Sequence, residues 1–66
     1  MIQVKQYDKI RLHSGLVGRI MEVLGAGEEF IVDVLTEDGE YDTLDIRKSD
    51  IKSKFVEYEE PIQEAI

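Results

Sequence analysis

The sequence predicts an all-β fold of five short antiparallel strands wrapped into one small barrel. Three observations lead there. Turn-forming residues recur at short intervals: Gly15 and Gly18, then Gly25-Ala26-Gly27, then Asp38-Gly39. The runs between them are dominated by Ile, Val, Leu, Phe and Tyr, which suit a pleated, half-buried surface. Apolar and polar residues alternate along most of these runs, the period of a strand with one face in a core.

Length and composition set the bounds. A chain of 66 residues has room for one domain, and one this small buries only about 60% of the surface it exposes unfolded. There is no cysteine, hence no disulfide framework and no thiolate zinc site. With 42% hydrophobic and 35% charged residues, the composition is that of a folded domain rather than a disordered tail. Apolar stretches reach only two or three residues, so neither a membrane span nor a signal-peptide core is expected. A cytoplasmic address is the default expectation.

Strands are expected at 7–12, 17–24, 29–36, 40–46 and 52–58, with a single 3₁₀ turn at 49–51 that Ser49 would cap. In the first strand Ile10 and Leu12 share one face, and Lys9 and Arg11 the other. In the third, Phe30, Val32 and Val34 align opposite Ile31, Asp33 and Leu35. In the fourth, Leu44 and Ile46 face away from Thr43 and Asp45. The second strand breaks the alternation, because Ile20 and Val23 stand three apart; a bulge or bend near Met21-Glu22 reconciles them. Leu16, Ile20, Val23 and Leu24 also have helical spacing, but Gly15, Gly18 and Gly25 leave too short a helix, and strand is the better reading.

Five such strands cannot bury a flat face against nothing, so they are expected to curl into a closed, filled cylinder. Asp38-Gly39 fits a two-residue type I′ hairpin, and Gly25-Ala26-Gly27 a looser, mobile loop. The expected core is Ile10, Leu12, Val17, Ile20, Val23, Phe30, Val32, Val34, Leu44, Ile51 and Val56. Leu16, Ile31 and Leu35 are expected off the core face.

Asp8-x-Ile10-x-Leu12-x-x-Gly15-x-x-Gly18-x-Ile20-x-x-Val23 resembles the opening of KOW-type and related SH3-like barrel domains. Gly15 would allow the tight turn there, and Gly18 a close passage of the second strand across the first. From Phe30-x-Val32-x-Val34 through Asp38-Gly39 to Leu44 and Ile51, the chain looks like small uncharacterised bacterial proteins with the same barrel, carried as domains of unknown function. The resemblance covers 4–58 and implies an SH3-like barrel over 1–58. The tail at 59–66 is read from its own residues: Pro61 after Glu59-Glu60 fits a first helical position, so the tail is either one helical turn or a frayed terminus. The resemblance speaks for fold more than activity, since this barrel hosts RNA binders, ribosome and polymerase contacts, and peptide binders alike. Two departures stand out. KOW domains that bind nucleic acid are usually basic, whereas this chain has a net charge of −7; and the aromatic groove of peptide-binding SH3 domains has little counterpart in a chain without Trp.

Charge is segregated along the chain. Residues 1–20 carry four cations against one carboxylate, 21–46 carry nine carboxylates and no cation, and 47–66 carry four cations against five carboxylates. If the first and last strands pair, Lys9 and Arg11 adjoin Lys52 and Lys54 as a basic face, while Glu37, Asp38, Glu40 and Asp42 form an acidic one. Solvated charge that keeps strand edges apart is the bland account. A docking surface steering a basic partner is the functional one. A nucleic-acid stripe is disfavoured, because net negative charge repels phosphate and counterion release needs clustered cations.

Little points to chemistry. The acidic turn lacks the twelve-residue alternating ligand pattern of a calcium loop. His13, the only histidine, sits beside Ser14 in a turn where adjacent side chains diverge rather than forming a nucleophile–base pair. Gly25-Ala26-Gly27 lacks the Lys-Ser/Thr and helix of a phosphate loop. No catalytic, cofactor or metal residues are expected. The expected function is a non-enzymatic protein-interaction module, adaptor or regulatory, from a bacterium or mobile element. The alternative is a KOW-like ribosome- or nucleic-acid-associated module acting through Lys9, Arg11, Lys52 and Lys54. No membrane partner is expected; the chain is a monomer, or a weak homodimer through an exposed strand edge or the tail, where Ile62 and Ile66 share an apolar stripe.

Overall fold

A computed structural model describes residues 3–56. The chain forms β1 (Lys9–Leu12), β2 (Val17–Leu24), β3 (Glu29–Leu35), β4 (Tyr41–Arg47) and β5 (Ile51–Lys54), with 3₁₀ turns at Gly25–Gly27 and Lys48–Asp50. All strands are antiparallel in one curled sheet of order β4-β3-β2-β1-β5. The result is an all-β half-barrel, compatible with an SH3-like barrel. Closure is incomplete: among the described residues β4 and β5 are linked by a 3₁₀ turn and do not pair with each other. The expected tail lies outside the described residues, as does the end of the expected last strand.

Both tight hairpins use the same three-residue loop. Gly15 N–H donates to Leu12 C=O at 2.8 Å while Leu12 N–H donates to Leu16 C=O at 2.8 Å. Likewise Gly39 N–H donates to Thr36 C=O at 3.1 Å and Thr36 N–H to Glu40 C=O at 2.7 Å. In each, the third loop residue is a glycine with positive φ, 98° at Gly15 and 85° at Gly39, where a side chain would be strained. The two-residue I′ turn is therefore replaced. It needs positive φ at Asp38 as well, and Asp38 does not adopt it. The β2–β3 connection is a defined turn rather than a loose loop: positive φ at 25–27 is closed by a Glu28 N–H bond to Gly25 C=O.

The expected bulge is present. Ile20 pairs with Val32 and Glu22 with Ile31, leaving Met21 as the extra residue. Gln6 Nε2 donates to the Met21 carbonyl at 2.9 Å, meeting one polar group of the bulge. The bulge puts Val23 beside Phe30, on the core face, but at the sheet's end, where it stays 38% exposed.

Ile10, Leu12, Ile20, Phe30, Val32, Val34, Ile46 and Ile51 are buried, with Val4, Leu16 and Leu44 packed against them. Three expected core residues fall elsewhere. Val17 is half-buried on the outer face, because Gly18 and Ile20 point inward. Val23 lies at the rim, and Val56 is exposed beyond β5. Leu16, expected outside, shares the parity of Gly18 and Ile20 and packs on the core. Gly18 is crowded by β3 rather than β1: a Cβ there would lie 2.5 Å from the Asp33 carbonyl oxygen.

Two local features shift strand limits. Tyr7, at φ 74°, is left-handed, so β1 starts at Lys9. The 3₁₀ turn begins at Lys48, and Asp50 rather than Ser49 caps it, through the bond from Arg47 N–H to Asp50 Oδ2 at 3.0 Å.

Candidate functional site

The sheet's outer face follows from strand parity and register. One cross-strand row runs Arg11, Val17, Leu35, Tyr41; the next runs Lys9, Arg19, Asp33, Thr43; the third runs Glu22, Ile31, Asp45. A fourth row runs Leu24, Glu29, Arg47, so the face is basic at β1 and mixed at β3 and β4, where Glu29, Asp33 and Asp45 stand with Arg47. Between lies a shallow depression of about 190 Å³ lined by Lys9, Val17, Arg19, Asp33, Leu35 and Tyr41. Leu35 and Tyr41 leave 46% and 69% of their surface exposed there.

On the basic side, β1 does pair with β5. Lys9 and Arg11 come together over one ring: Lys9 Nζ lies 5.0 Å and the Arg11 guanidinium carbon 5.4 Å from the centre of Phe55. The Phe55 N–H bond to Lys9 C=O, 2.9 Å, fixes the ring's position. Lys52 and Lys54 do not join this pair. Ile51 faces Leu12 and Ser53 faces Arg11, so Lys52 is the extra residue of a bulge and projects into solvent. Lys54 Nζ donates to the Gln3 carbonyl at 2.9 Å and lies 3.6 Å from Asp8 Oδ2.

Asp8 is a structural clasp. Its carboxylate accepts the Lys5 N–H at 2.9 Å, pairs with Lys5 Nζ at 3.4 Å, and meets Lys54, tying the first segment to the last strand. Burial pushes this carboxyl up, but the Lys5 N–H and the Lys5 and Lys54 ammonium groups hold it below the usual carboxylate range.

On the acidic side, Glu37 and Asp38 occupy the β3–β4 loop, Glu40 closes it and Asp42 is the second residue of β4, on the face opposite Asp45; all four are exposed. The Thr36 hydroxyl donates to Asp38 Oδ1 and holds that carboxyl below its ordinary range. Thr36 Oγ1 also accepts the Glu40 N–H at 3.3 Å, so one hydroxyl braces the loop. Asp45, on the outer face of β4, extends the acidic surface; Thr43 Oγ1 beside it donates to Asp33 Oδ1 at 2.9 Å.

His13 is exposed at the tip of the first hairpin, and the neighbouring Ser14 hydroxyl accepts the Leu16 N–H at 3.4 Å. Among the described residues no three His, Cys, Asp or Glu side chains gather as a metal site, and no helix is long and apolar enough to cross a membrane. Ile62 and Ile66 lie outside the described residues.

Sequence reasoning missed Phe55, Asp45 and the Thr36 brace. Phe55 was not legible, because its place beside Lys9 and Arg11 depends on the β1–β5 register, in which Ser53 pairs with Arg11 after a bulge at Lys52. Thr36 was legible from the Thr-x-Asp-Gly spacing that side-chain-braced turns favour. Compared with known proteins, the chain matches no family model, no curated protein and no solved structure.

Proposed function

We propose that this chain is a non-enzymatic protein-interaction module on an SH3-like barrel, an adaptor or regulatory factor that meets a basic partner through the β3–β4 side of its sheet. The observation that carries this reading is spatial. Of the carboxylates crowded between residues 21 and 46 in the sequence, Glu37, Asp38, Glu40, Asp42 and Asp45 gather on the β3–β4 loop and on the β4 edge strand, all exposed. Such a surface raises the encounter rate with a cationic protein and disfavours acidic ones. The test is capture by the immobilised full chain, compared with a variant carrying Glu37→Gln, Asp38→Asn, Glu40→Gln and Asp42→Asn. A specific protein partner, lost in the variant and weakened by salt, is expected. Recovery of no specific protein, together with tight salt-dependent RNA binding, overturns the reading.

A second reading, a KOW-like nucleic-acid module, draws on the cluster of Phe55, Lys9 and Arg11, an aromatic ring flanked by cations. Reversing the charges of Lys9 and Lys52 tests it; unchanged RNA affinity disposes of it.

A further inference from the structure

Among the described residues, sheet order leaves two edges, and they are unequally protected. The β5 edge is four residues long, is bulged at Lys52 and carries Lys52 and Lys54, features that deter strand addition. The β4 edge runs seven residues, Tyr41–Arg47, in unbroken register with β3, and holds no Pro, Gly or Lys. The bonds from Thr36 N–H to Glu40 C=O and from Lys48 N–H to Glu28 C=O, at the two ends of this ladder, fix its phase. Asp42, Leu44 and Ile46 turn their backbone groups toward β3, while Tyr41, Thr43 and Asp45 turn theirs away from the sheet. The open row ends at Arg47, whose N–H is taken by Asp50.

We propose that this β4 edge accepts an extended, cation-bearing segment of another protein as an added sixth strand. This rests on the protein-interaction reading above and names the kind of partner it needs. Backbone bonds to Tyr41, Thr43 and Asp45 would supply affinity, and alternate side chains specificity. The residues facing Tyr41, Thr43 and Asp45 lie on the outer face, beside the Asp45 carboxylate and near the acidic loop, and should be Lys or Arg. Those between lie on the inner face: the ones beside Leu44 and Ile46, at the open side of the half-barrel, should be apolar, while the one beside Asp42 stands at the exposed start of the strand. A second copy's β4 centred on Thr43 would set Asp45 against Tyr41 and Asp42 against Leu44, leaving both carboxylates without a cation across the seam, which a basic partner supplies.

The probe is a synthetic peptide of about eight residues, a common strand length, alternating lysine and valine. It is titrated into the full chain beside two isomers of equal charge, one N-methylated at the lysines and one at the valines. Added antiparallel to β4, as every strand of this sheet is to its neighbour, with lysines on the outer face, the peptide points the lysine N–H groups at β4, so lysine methylation is expected to weaken binding about tenfold or more, while valine methylation changes it little. Amide protons of Tyr41, Thr43 and Asp45 should gain exchange protection with the parent peptide. Equal binding by both isomers, without that protection, overturns strand addition but leaves an acidic surface working through side chains. Failure of every cationic peptide to bind at low salt overturns the basic-partner reading along with it.

Discussion

Replacing Gly18 by alanine separates two opposed effects of removing a glycine. Gly18 has no positive φ, so alanine fits its backbone, and the lower entropy of the unfolded chain would favour the variant by about 0.4–1 kcal/mol if space allowed. Space does not allow it. The new Cβ would stand 2.5 Å from the Asp33 carbonyl oxygen and 2.8 Å from a methyl of each of Val32 and Val34. Ordinary separations are about 3.3–3.6 Å for carbon to oxygen and about 3.5–4.0 Å for carbon to carbon, so every overlap approaches an ångström. The obstacles cannot easily yield. Asp33 lies in β3, paired on both sides, and Val32 and Val34 are β-branched and almost wholly buried. Overpacking of this kind costs about 1–3 kcal/mol, which outweighs the entropic gain. For a domain of this size each kcal/mol is about 4–8 °C in Tm, so a fall of roughly 10 °C is expected in thermal and urea denaturation followed by circular dichroism. Adding Val34→Ala should recover only part of it, because the carbonyl contact remains. An unchanged or raised Tm for Gly18→Ala would refute the reasoning.

Other substitutions probe other links. Phe30→Ala empties the centre of the core, where Phe30 is 1% exposed, and should cost about 3–5 kcal/mol; a chain this short has total stability of only about 3–10 kcal/mol, so loss of the cooperative unfolding transition is expected. Tyr7→Asn should stabilise by up to about 1 kcal/mol, since Asn tolerates the left-handed backbone that Tyr7 adopts at φ 74°; a lower Tm would show that the Tyr7 side chain contributes packing. Asp8 has a folded pKa below its ordinary 3.8, so its contribution is complete above that value and is lost as pH falls through the folded pKa; Asp8→Asn should therefore destabilise at neutral pH and flatten the acid limb of stability against pH, and parallel limbs would contradict the clasp. Phe55→Ala should cost about 0.5–1 kcal/mol through its lost cation contacts with Lys9 and Arg11, with side-chain NMR shifts at both residues as the direct check.

Strand parity carried most of the fold into the sequence, and the errors mark where parity was not followed through. Ile10 and Leu12, and Phe30, Val32 and Val34, alternate cleanly and are buried as expected. In β2 the same rule places Leu16, Gly18 and Ile20 together, with Val17 opposite; the glycine, having no side chain, hid that phase. The bulge was readable because only an extra residue puts Ile20 and Val23 on one face. Turn geometry was less legible. Asp-Gly serves a two-residue turn and the end of a three-residue loop equally well, and the choice falls to Thr36, whose hydroxyl braces both Asp38 and Glu40. The basic face was least legible: β1–β5 pairing was expected, but a bulge at Lys52 and the attraction of Lys54 to Asp8 depend on register, which charge counts do not contain.

Net charge is a poor guide to what a partner of this chain meets. In a meander of order β4-β3-β2-β1-β5, blocks of like charge in the sequence become opposite sides of the sheet. From β1 to β4 there are three strand spacings, about 14 Å along the sheet, whereas the Debye length is about 8 Å at physiological ionic strength. The two sides are therefore largely screened from each other, and the net −7 governs approach only at low salt. That removes one objection to nucleic-acid binding at β1 but leaves a stronger one. With Lys54 engaged by Asp8, the outer face there presents Lys9, Arg11 and Arg19. Even three phosphate contacts by these residues give a single-strand salt slope of only about −2, or roughly twentyfold between 50 and 200 mM salt, against losses of about 10³ or more for proteins that grip six to ten phosphates. The acidic side has no such shortage, with carboxylates along the hairpin beside an open row of backbone groups. Cation count and edge geometry thus both favour β4 over β1 as the surface that a partner engages.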